Sequence, residues 1–288
     1  MTGKRTGSTW RELLAETAAR VGERPAARWL CEVASGADRL DEVLNEPVTQ
    51  RMVAHLDAML ARYEVGEPLA YVLGRWGFRH LDLMVDRRVL IPRPETEVVA
   101  GVAIELAGQE RRDRAEVVVA DIGTGSGAIG LAMAEELPLS GVTVWLTDDD
   151  RDALEVARAN LAGIGRGAAN VRVRGGRWFE ALPADVRLDV AVANPPYIAE
   201  GSPEVEDSVR RWEPHHALFA GPDGLDAIRS LIADAPARVR PGGWLVLEIG
   251  ADQGAAVRQL FNETGYSNVQ ICPDLAGRDR VAVARRGR

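Results

Sequence analysis

The stretch Val117-Val-Val-Ala-Asp-Ile-Gly-Thr-Gly-Ser-Gly127 joins an apolar run to a glycine-rich loop. The run Val117 to Ala120 predicts a buried strand, and the segment Ala128 to Leu137 after the loop predicts a helix. In a parallel sheet, ligands bind beyond the carboxyl ends of the strands, which is where this loop would lie. Glycine lets the backbone turn sharply and approach a ligand closely. The pattern favours a nucleotide-binding loop, but a dinucleotide would suit it too, and a tight strand-to-helix turn is the alternative.

Strands and helices are predicted to alternate through the rest of the chain. The predicted helices are 94–107, 128–137, 151–161, 225–239 and 253–264, and the predicted strands are 117–120, 142–147, 171–174, 188–193 and 244–249, with two more at the end. A turn is expected at Pro241-Gly-Gly243, and residues 198–223 are expected to be irregular. This order predicts an α/β fold with a parallel sheet.

The first 73 residues are predicted to form a small helical domain. Thr9 and Glu12 fit a capping box at the start of a first helix. Further helices are expected from Pro25 to before Gly36, over 38–44, and on the apolar face from Met52 to Tyr63. Residues 74–91 change to an alternating pattern punctuated by glycine, which predicts a hairpin linker. Residues 92–288 then make up the sheet domain.

Charge limits the classes of partner. The chain has a net charge of -8, which argues against a protein that grips nucleic acid by neutralising its phosphates. Residues 1–73 hold nine Lys/Arg against eleven Asp/Glu, so they lack the basic surface of a DNA reader. We expect a monomer without stable nucleic-acid binding.

Cysteines, histidines and the N-terminus bear on compartment and metal content. Cys31 and Cys272 are too few for a disulfide framework, which favours the reducing cytoplasm. The four histidines lack the spacing of zinc ligands, so no metal is expected. The polar start, Met1 to Ser8, is not followed by an apolar run, so we expect neither a signal peptide nor membrane association.

Acidic residues follow two neighbouring strands at the glycine loop. Asp121 is placed either to accept from the amino group of a methionine moiety or to cap the loop, and the sequence leaves both roles open. Asp148 ends the next strand, where a carboxylate can accept both hydroxyls of a ribose, and we favour that role. Asp149 and Asp150 follow in positions typical of helix capping.

Asn194-Pro-Pro-Tyr197 ends another predicted strand. An amide nitrogen is a poor nucleophile because its lone pair is delocalised, so methylating it needs acceptors for both of its N–H groups. The Asn194 side-chain oxygen is one acceptor, and the carbonyl of Pro195, a residue without an N–H, is a second. Tyr197 can stack on a flat acceptor, whereas a simple chain break at Pro195-Pro196 is the alternative. With the glycine loop, this motif predicts methyl transfer from S-adenosylmethionine to nitrogen.

These motifs make the sequence similar to the PrmC/HemK family, the protein-(glutamine-N5) methyltransferases of peptide chain release factors. The resemblance covers nearly the whole chain. It rests on Gly66-Glu-Pro-Leu-Ala70, Leu90-Ile-Pro-Arg-Pro-Glu-Thr-Glu97, Asp121 to Gly127, Trp178-Phe179, Asn194 to Tyr197, and Pro241-Gly-Gly with Leu247-Glu-Ile-Gly250.

The resemblance implies a class I methyltransferase domain that uses S-adenosylmethionine, Rossmann-like with a mostly parallel seven-stranded sheet. It also implies a helical N-terminal domain for substrate recognition, a β-hairpin linker, and an activity on the glutamine of the Gly-Gly-Gln motif in class I release factors. The residues implied for the cofactor are Asp121, Gly123, Thr124, Gly125, Ser126, Gly127, Asp148, Trp178 and Asn194. Those implied for catalysis and glutamine binding are Asn194, Pro195, Pro196 and Tyr197, with Arg93 and Glu95 at the entrance.

Several of these positions have a competing interpretation. Without the resemblance, Trp178 is typical of a core residue, and Arg93 and Glu95 are typical of helix-end charges. Phe78 belongs either to the hairpin core, which we favour, or to the acceptor pocket. Arg177 departs from the family, whose members commonly carry an acidic residue there that suits the adenine amino group, because arginine has donors only. Either another group accepts, or Arg177 points away, or the cofactor binds more weakly.

Three other functions stay open. A small-molecule N- or O-methyltransferase fits a weaker adenine site. An adenine-N6 methyltransferase acting on nucleic acid fits the chemistry, but its base must be single-stranded or flipped, and the acidic N-terminal domain counts against it. A release-factor-binding protein with a decayed site is disfavoured by the presence of Asp148 and Asn194.

Overall fold

The structure is a computed structural model that describes residues 7–203 and 205–287. The chain divides into two compact units, of which one ends at Arg75 and the other begins at Trp76. No helix in the part of the chain that is described is both long and apolar enough to cross a membrane.

The N-terminal unit is helical, as predicted. Its helices are α1 (Trp10–Val21), α2 (Arg24–Ser35), α3 (Leu40–Val43), α4 (Gln50–Glu64) and α5 (Leu69–Leu73). The capping box is present, since the Thr9 hydroxyl accepts from the backbone of Glu12 and the Glu12 carboxylate accepts from the backbone of Thr9. Trp10, Leu30 and Leu56 are fully buried in a core of this unit's own. The sequence prediction missed α5, which is too short to show a helical period.

The second unit alternates strands and helices. A hairpin of β1 (Arg75–Phe78) and β2 (Leu81–Met84) comes first, and Phe78 is buried in the core, as favoured. The helices are α6 (Pro94–Asp113), α7 (Ala128–Glu136), α8 (Arg151–Gly163), α9 (Asp207–Trp212), α10 (Asp226–Asp234) and α11 (Gly254–Glu263). The strands are β3 (Val117–Ile122), β4 (Val142–Asp148), β5 (Val171–Gly175), β6 (Leu188–Ala193), β7 (Val239–Glu248), β8 (Tyr266–Pro273) and β9 (Asp279–Arg286).

The described strands β3 to β9 form one seven-stranded sheet in the order β5-β4-β3-β6-β7-β9-β8. All neighbours from β5 to β7 are parallel, and β9 is antiparallel to both β7 and β8. Residues of β6 alternate between two cores, with Val190 and Val192 in one and Ala191 and Ala193 in the other. Both sheet faces are therefore covered, which explains the continuous apolar strands. The chain order reverses between β3 and β6, and this switch point is where α/β sheets bind ligands.

Two local predictions were wrong. Pro241-Gly-Gly243 is not a turn before β7 but part of that strand. Leu188 pairs with Val239 and Val190 with Trp244, so β7 carries extra residues as a bulge. A Cβ at Gly243 would lie 2.9 Å from the Asp189 carbonyl oxygen, which explains the glycine there. The stretch 198–223, which was expected to be irregular, contains α9. This helix is too short to show a helical period in the sequence.

Candidate active site

The loop 123–127 connects β3 to α7 at the switch point. The backbone N–H groups of Gly123 and Thr124 each donate to the Thr147 carbonyl at 2.8 Å, which ties the loop to the end of β4. A Cβ at Gly123 would lie 3.2 Å from the Trp178 ring, whereas a Cβ at Gly125 would meet no atom within 4 Å. Gly123 (φ 74°) and Gly125 (φ 54°) both have left-handed backbone, which glycine adopts without steric cost. The loop thus leaves a space beside Gly125.

Asp121 supports the loop and also keeps one oxygen free. Its Oδ2 accepts from the Thr124 hydroxyl at 2.6 Å and from the Gly130 backbone at 2.8 Å. Its Oδ1 is buried and has no hydrogen-bond partner in the described part of the chain. Burial, opposed by these two hydrogen bonds, raises the pKa of Asp121 to about 6. One oxygen therefore caps the loop, and the other is an acceptor without a donor.

Asp148 lies beside the same loop, at the end of β4. Its Oδ2 accepts from the Gly125 backbone at 2.8 Å and its Oδ1 from the Asp150 backbone at 3.0 Å. Each carboxylate oxygen keeps a further lone pair. Burial raises the pKa of Asp148 above its usual value. The residue of this acidic run that caps a helix is Asp150, whose side chain accepts from the Asp152 backbone at 2.7 Å at the start of α8.

Trp178 faces a cleft, and Arg177 does not. The backbone of Trp178 is left-handed (φ 44°), and its indole N–H is buried without a partner among the described residues. A non-glycine residue in this region is uncommon, and such strain clusters at functional sites. Arg177 is exposed and is not one of the residues that line the cleft.

The glycine cleft is the concavity formed by the loop and its surroundings. It is lined by Arg88, Val89, Leu90, Pro92, Thr96, Asp121, Gly123, Thr124, Gly125, Ser126, Ala128, Ile129, Asp148, Asp149, Ala153, Trp178, Asn194, Pro196, Pro214, His216 and Ala217. The His216 Nε2 lies 3.1 Å from a carboxylate oxygen of Asp150, the residue that caps the N-terminus of α8. Most of the residues predicted for the cofactor thus come together here; Gly127, which caps α7, is not in the lining.

A second cleft is lined in part by the tetrapeptide Asn194–Tyr197. Its lining includes Arg93, Glu95, Asn194, Tyr197, Gln253 and Arg280. Asn194 lines both clefts, whereas Pro196 lines only the glycine cleft. Pro195 is buried and lines neither cleft. The side chain of Gln253 holds the tetrapeptide by donating to the Tyr197 carbonyl at 2.9 Å.

Arg93 and Glu95 both line the second cleft, and the side chain of Arg93 is also held by an ion pair. Arg93 forms an ion pair with Glu213, a buried residue, with 2.6 Å between the charged atoms. Glu213 also accepts from the Ile91 backbone at 3.1 Å. This pairing fixes the segment that leads into α6, so at least part of the role of Arg93 is structural.

Thr96 and Glu248 are site residues that the sequence analysis missed. The Thr96 hydroxyl donates to Glu248 at 2.6 Å, and the Tyr197 hydroxyl donates to the other Glu248 oxygen at 3.2 Å. The Asn194 side-chain N–H donates to the Thr96 hydroxyl oxygen at 3.2 Å. Burial, with a contribution from nearby Glu95, raises the pKa of Glu248 to about 7. One signal was available, because Glu248 is an acidic residue that directly follows the apolar run Trp244 to Leu247.

Comparisons with known proteins agree with this geometry. Residues 106–211 match the family model of the Methyltransferase small domain. The crystal structure of a methyltransferase from Pyrococcus furiosus superposes with a TM-score of 0.51 at 20% identity, covering 81% of this chain and 100% of that one, which shows the fold. The sheet order and the loop at its switch point define a class I methyltransferase.

The relatives are more specific. Residues 9–74 match the model of the PrmC N-terminal domain, and a release factor glutamine methyltransferase from Xylella fastidiosa is 46% identical, with 83% of this chain and 84% of the relative covered. A release factor glutamine methyltransferase from Gloeobacter violaceus is 42% identical, with 95% of each chain covered. This chain belongs to the family of release factor glutamine methyltransferases, as its motifs indicated.

Proposed function

We propose that this protein transfers a methyl group from S-adenosylmethionine to N5 of the glutamine in the Gly-Gly-Gln motif of class I peptide chain release factors. Relatives that are similar over most of the length of this chain are named release factor glutamine methyltransferases. The observation that carries the proposal is the position of Asn194, which lines both the glycine cleft and the second cleft. A methyl donor in one cleft and an acceptor in the other would meet at this residue.

The glycine cleft fits S-adenosylmethionine. The unpartnered Oδ1 of Asp121 suits an ammonium group, and the space beside Gly125 suits a close approach to the backbone. We assign Gly123, Thr124, Gly125, Ser126 and Gly127 to the loop that surrounds the cofactor, Asp148 to the ribose hydroxyls, and Trp178 to the adenine. When bound, this cofactor supplies a methyl group on a positively charged sulfur.

The tetrapeptide is assigned to the acceptor amide. The Asn194 Oδ1 and the Pro195 carbonyl accept from its two N–H groups, which orients the nitrogen and holds its lone pair towards the methyl group. Pro196 lines the glycine cleft beside Asn194, and the Tyr197 ring is assigned to packing on the flat amide. Positioning of this kind can supply ~7–11 kcal/mol of the barrier. Arg93 and Glu95 contribute to the entrance of the second cleft.

The partner is proposed to be the release factor alone. Residues 1–73 are assigned to its recognition, the hairpin segment 74–91 to the connection, and residues 92–288 to catalysis. The excess of acidic over basic residues in the N-terminal unit supports a protein partner rather than nucleic acid. We propose that the protein works as a monomer in the cytoplasm.

The test is a transfer assay with isotopically labelled S-adenosylmethionine. Label is expected in a release factor and not in the same factor with its motif glutamine replaced by alanine. Equal label in both would refute the assignment, and label in an adenine-containing single strand instead would support the nucleic-acid activity.

Asn194→Ala is the matching change in the enzyme. Turnover is expected to fall by about a hundredfold to a thousandfold, as for other preorganised groups at a transition state. Asn262→Ala, an exposed asparagine on α11, is the control and should leave turnover unchanged. Near-normal turnover of Asn194→Ala would remove this residue from the mechanism.

A further inference from the structure

One buried carboxylate is connected to both ends of the tetrapeptide. Glu248 has no exposed surface. One of its oxygens accepts from the Tyr197 hydroxyl at 3.2 Å, and the other accepts from the Thr96 hydroxyl at 2.6 Å. Thr96 in turn accepts from the Asn194 amide at 3.2 Å. The end of β7 and the first turn of α6 are thus linked to the residues that follow β6.

The direction of these hydrogen bonds follows from the chemistry of the groups. An ionised carboxylate can only accept, so the single hydroxyl hydrogen of Thr96 is directed to Glu248. The Thr96 oxygen then has only lone pairs to offer Asn194. The Asn194 amide must therefore present its NH₂ group to Thr96. Rotating the amide by 180° would set two acceptors against each other with no hydrogen between them.

This arrangement leaves the Asn194 oxygen available. No residue in 7–203 or 205–287 donates a hydrogen bond to the Asn194 Oδ1. The amide of an asparagine on a surface can present either its oxygen or its nitrogen to a ligand, because the two orientations have the same shape. An amide N–H of a substrate is bound only by the oxygen.

We propose that Glu248 is a positioning residue, which acts through the Thr96 hydroxyl to fix the Asn194 amide with its oxygen free for the acceptor nitrogen. This inference rests on the proposed function. Glu248 does not line either cleft, so it acts only through Thr96 and Tyr197.

The charge state of Glu248 decides the direction of the chain of hydrogen bonds. Tyr197, Glu95 and Arg280 are the titratable and charged groups near it, of which Glu95 disfavours and Arg280 favours its ionised form. A protonated Glu248 can itself donate to Thr96, which frees the Thr96 hydrogen to turn towards Asn194 and allows the rotated amide. Because burial raises the Glu248 pKa to about 7, turnover is expected to fall as the pH is lowered through that value.

Variants of Thr96 and Glu248 separate positioning from folding. Thr96→Val keeps the shape and removes the hydroxyl, so turnover should fall about tenfold, which is the size of one hydrogen bond. Because valine keeps the shape of this cleft-lining residue, the affinity for S-adenosylhomocysteine should fall by much less than the turnover. Thr96→Ser should recover most of the turnover. Glu248→Gln should lower turnover and remove its decline near pH 7. Thr264→Val, which removes an exposed hydroxyl at the end of α11, outside both clefts, is the control and should leave turnover unchanged.

A second measurement does not need a methyl acceptor. In protein labelled with ¹⁵N-asparagine, the Asn194 side-chain amide signal is assigned by its loss in Asn194→Ala. Its hydrogens should exchange slowly in wild type and in Thr96→Ser, and fast in Thr96→Val. Fast exchange in the wild type, or equal exchange in Thr96→Val, would overturn the proposal, as would a wild-type pH profile in Glu248→Gln. A wild type that shows the slow exchange but methylates no release factor would contradict only the proposed function.

Discussion

Three carboxylates at strand ends differ in what they accept. Asp121 holds the loop with one oxygen, Asp148 accepts from the backbone of the loop and of Asp150, and Glu248 accepts from two hydroxyls. Burial raises the pKa of each of them. Their partners therefore decide their different roles: Asp121 and Asp148 face the glycine cleft, and Glu248 lies behind the tetrapeptide.

Asp148→Ala tests the assignment of the ribose. Loss of a charged hydrogen bond costs about 1.5–3 kcal/mol, so the affinity for S-adenosylmethionine should fall about tenfold to a hundredfold. Isothermal titration of the purified variant measures it. Asp152→Ala, which removes an exposed acid from the first turn of α8, should bind normally. An unchanged affinity of Asp148→Ala would show that the ribose is held elsewhere.

Helix α7 packs unusually close to the sheet. Gly130 donates its backbone N–H to Asp121, and a Cβ at this position would lie 2.7 Å from the Leu146 side chain and 3.0 Å from that of Asp121. The glycine thus allows the helix to approach both β3 and β4. The loop 123–127 depends on that approach, because the same Asp121 oxygen binds Thr124 and Gly130.

Gly130→Ala is expected to destabilise the protein, although alanine favours helices by about 1 kcal/mol over glycine. Overpacking costs about 1–3 kcal/mol and pushes Asp121 out of place, so cofactor affinity should fall as well. Gly108→Ala in α6 is the matched control, since a Cβ there meets no atom within 4 Å, and it should stabilise slightly. Equal free energies of unfolding in urea for the two variants would contradict this account of the packing.

The stability of the second unit should depend on pH through its buried acids. The Glu248 pKa rises from 4.5 to about 7 on folding, and that of Asp121 rises from 3.8 to about 6. A group whose pKa is raised in the folded state stabilises it fully below the unfolded pKa, and this contribution disappears as the pH rises through the folded pKa. These two acids therefore favour the folded state less at pH 8 than at pH 5.

Glu248→Gln measures that contribution. The variant does not titrate, so its free energy of unfolding should increase relative to that of wild type by roughly 2–3 kcal/mol between pH 5 and pH 8. Urea denaturation at both pH values gives the difference, and ionisable groups shared by the two proteins cancel. A difference that is independent of pH would mean that the Glu248 pKa is not raised on folding.

The order of the secondary structure and the positions of the glycine loop and the tetrapeptide followed from the sequence. Both depend on local signals: apolar strands, glycine at left-handed positions, and Pro-Pro after β6. The short helices α5 and α9 did not follow, because they are too short to show a helical period. The bulge at 241–243 did not follow either, because it depends on the pairing of β7 with β6, which is distant in the chain.

The sequence on its own settled that Asp121, Asp148 and Asn194 would stand at the carboxyl ends of parallel strands, because that position follows from strand periodicity and chain order. Only the folded chain decided what each of them binds. Glu248 joins the site from β7 and Thr96 from α6, which are 152 residues apart in the chain. A hydrogen bond depends on the distance between atoms in space, and sequence spacing carries no such information for residues so far apart.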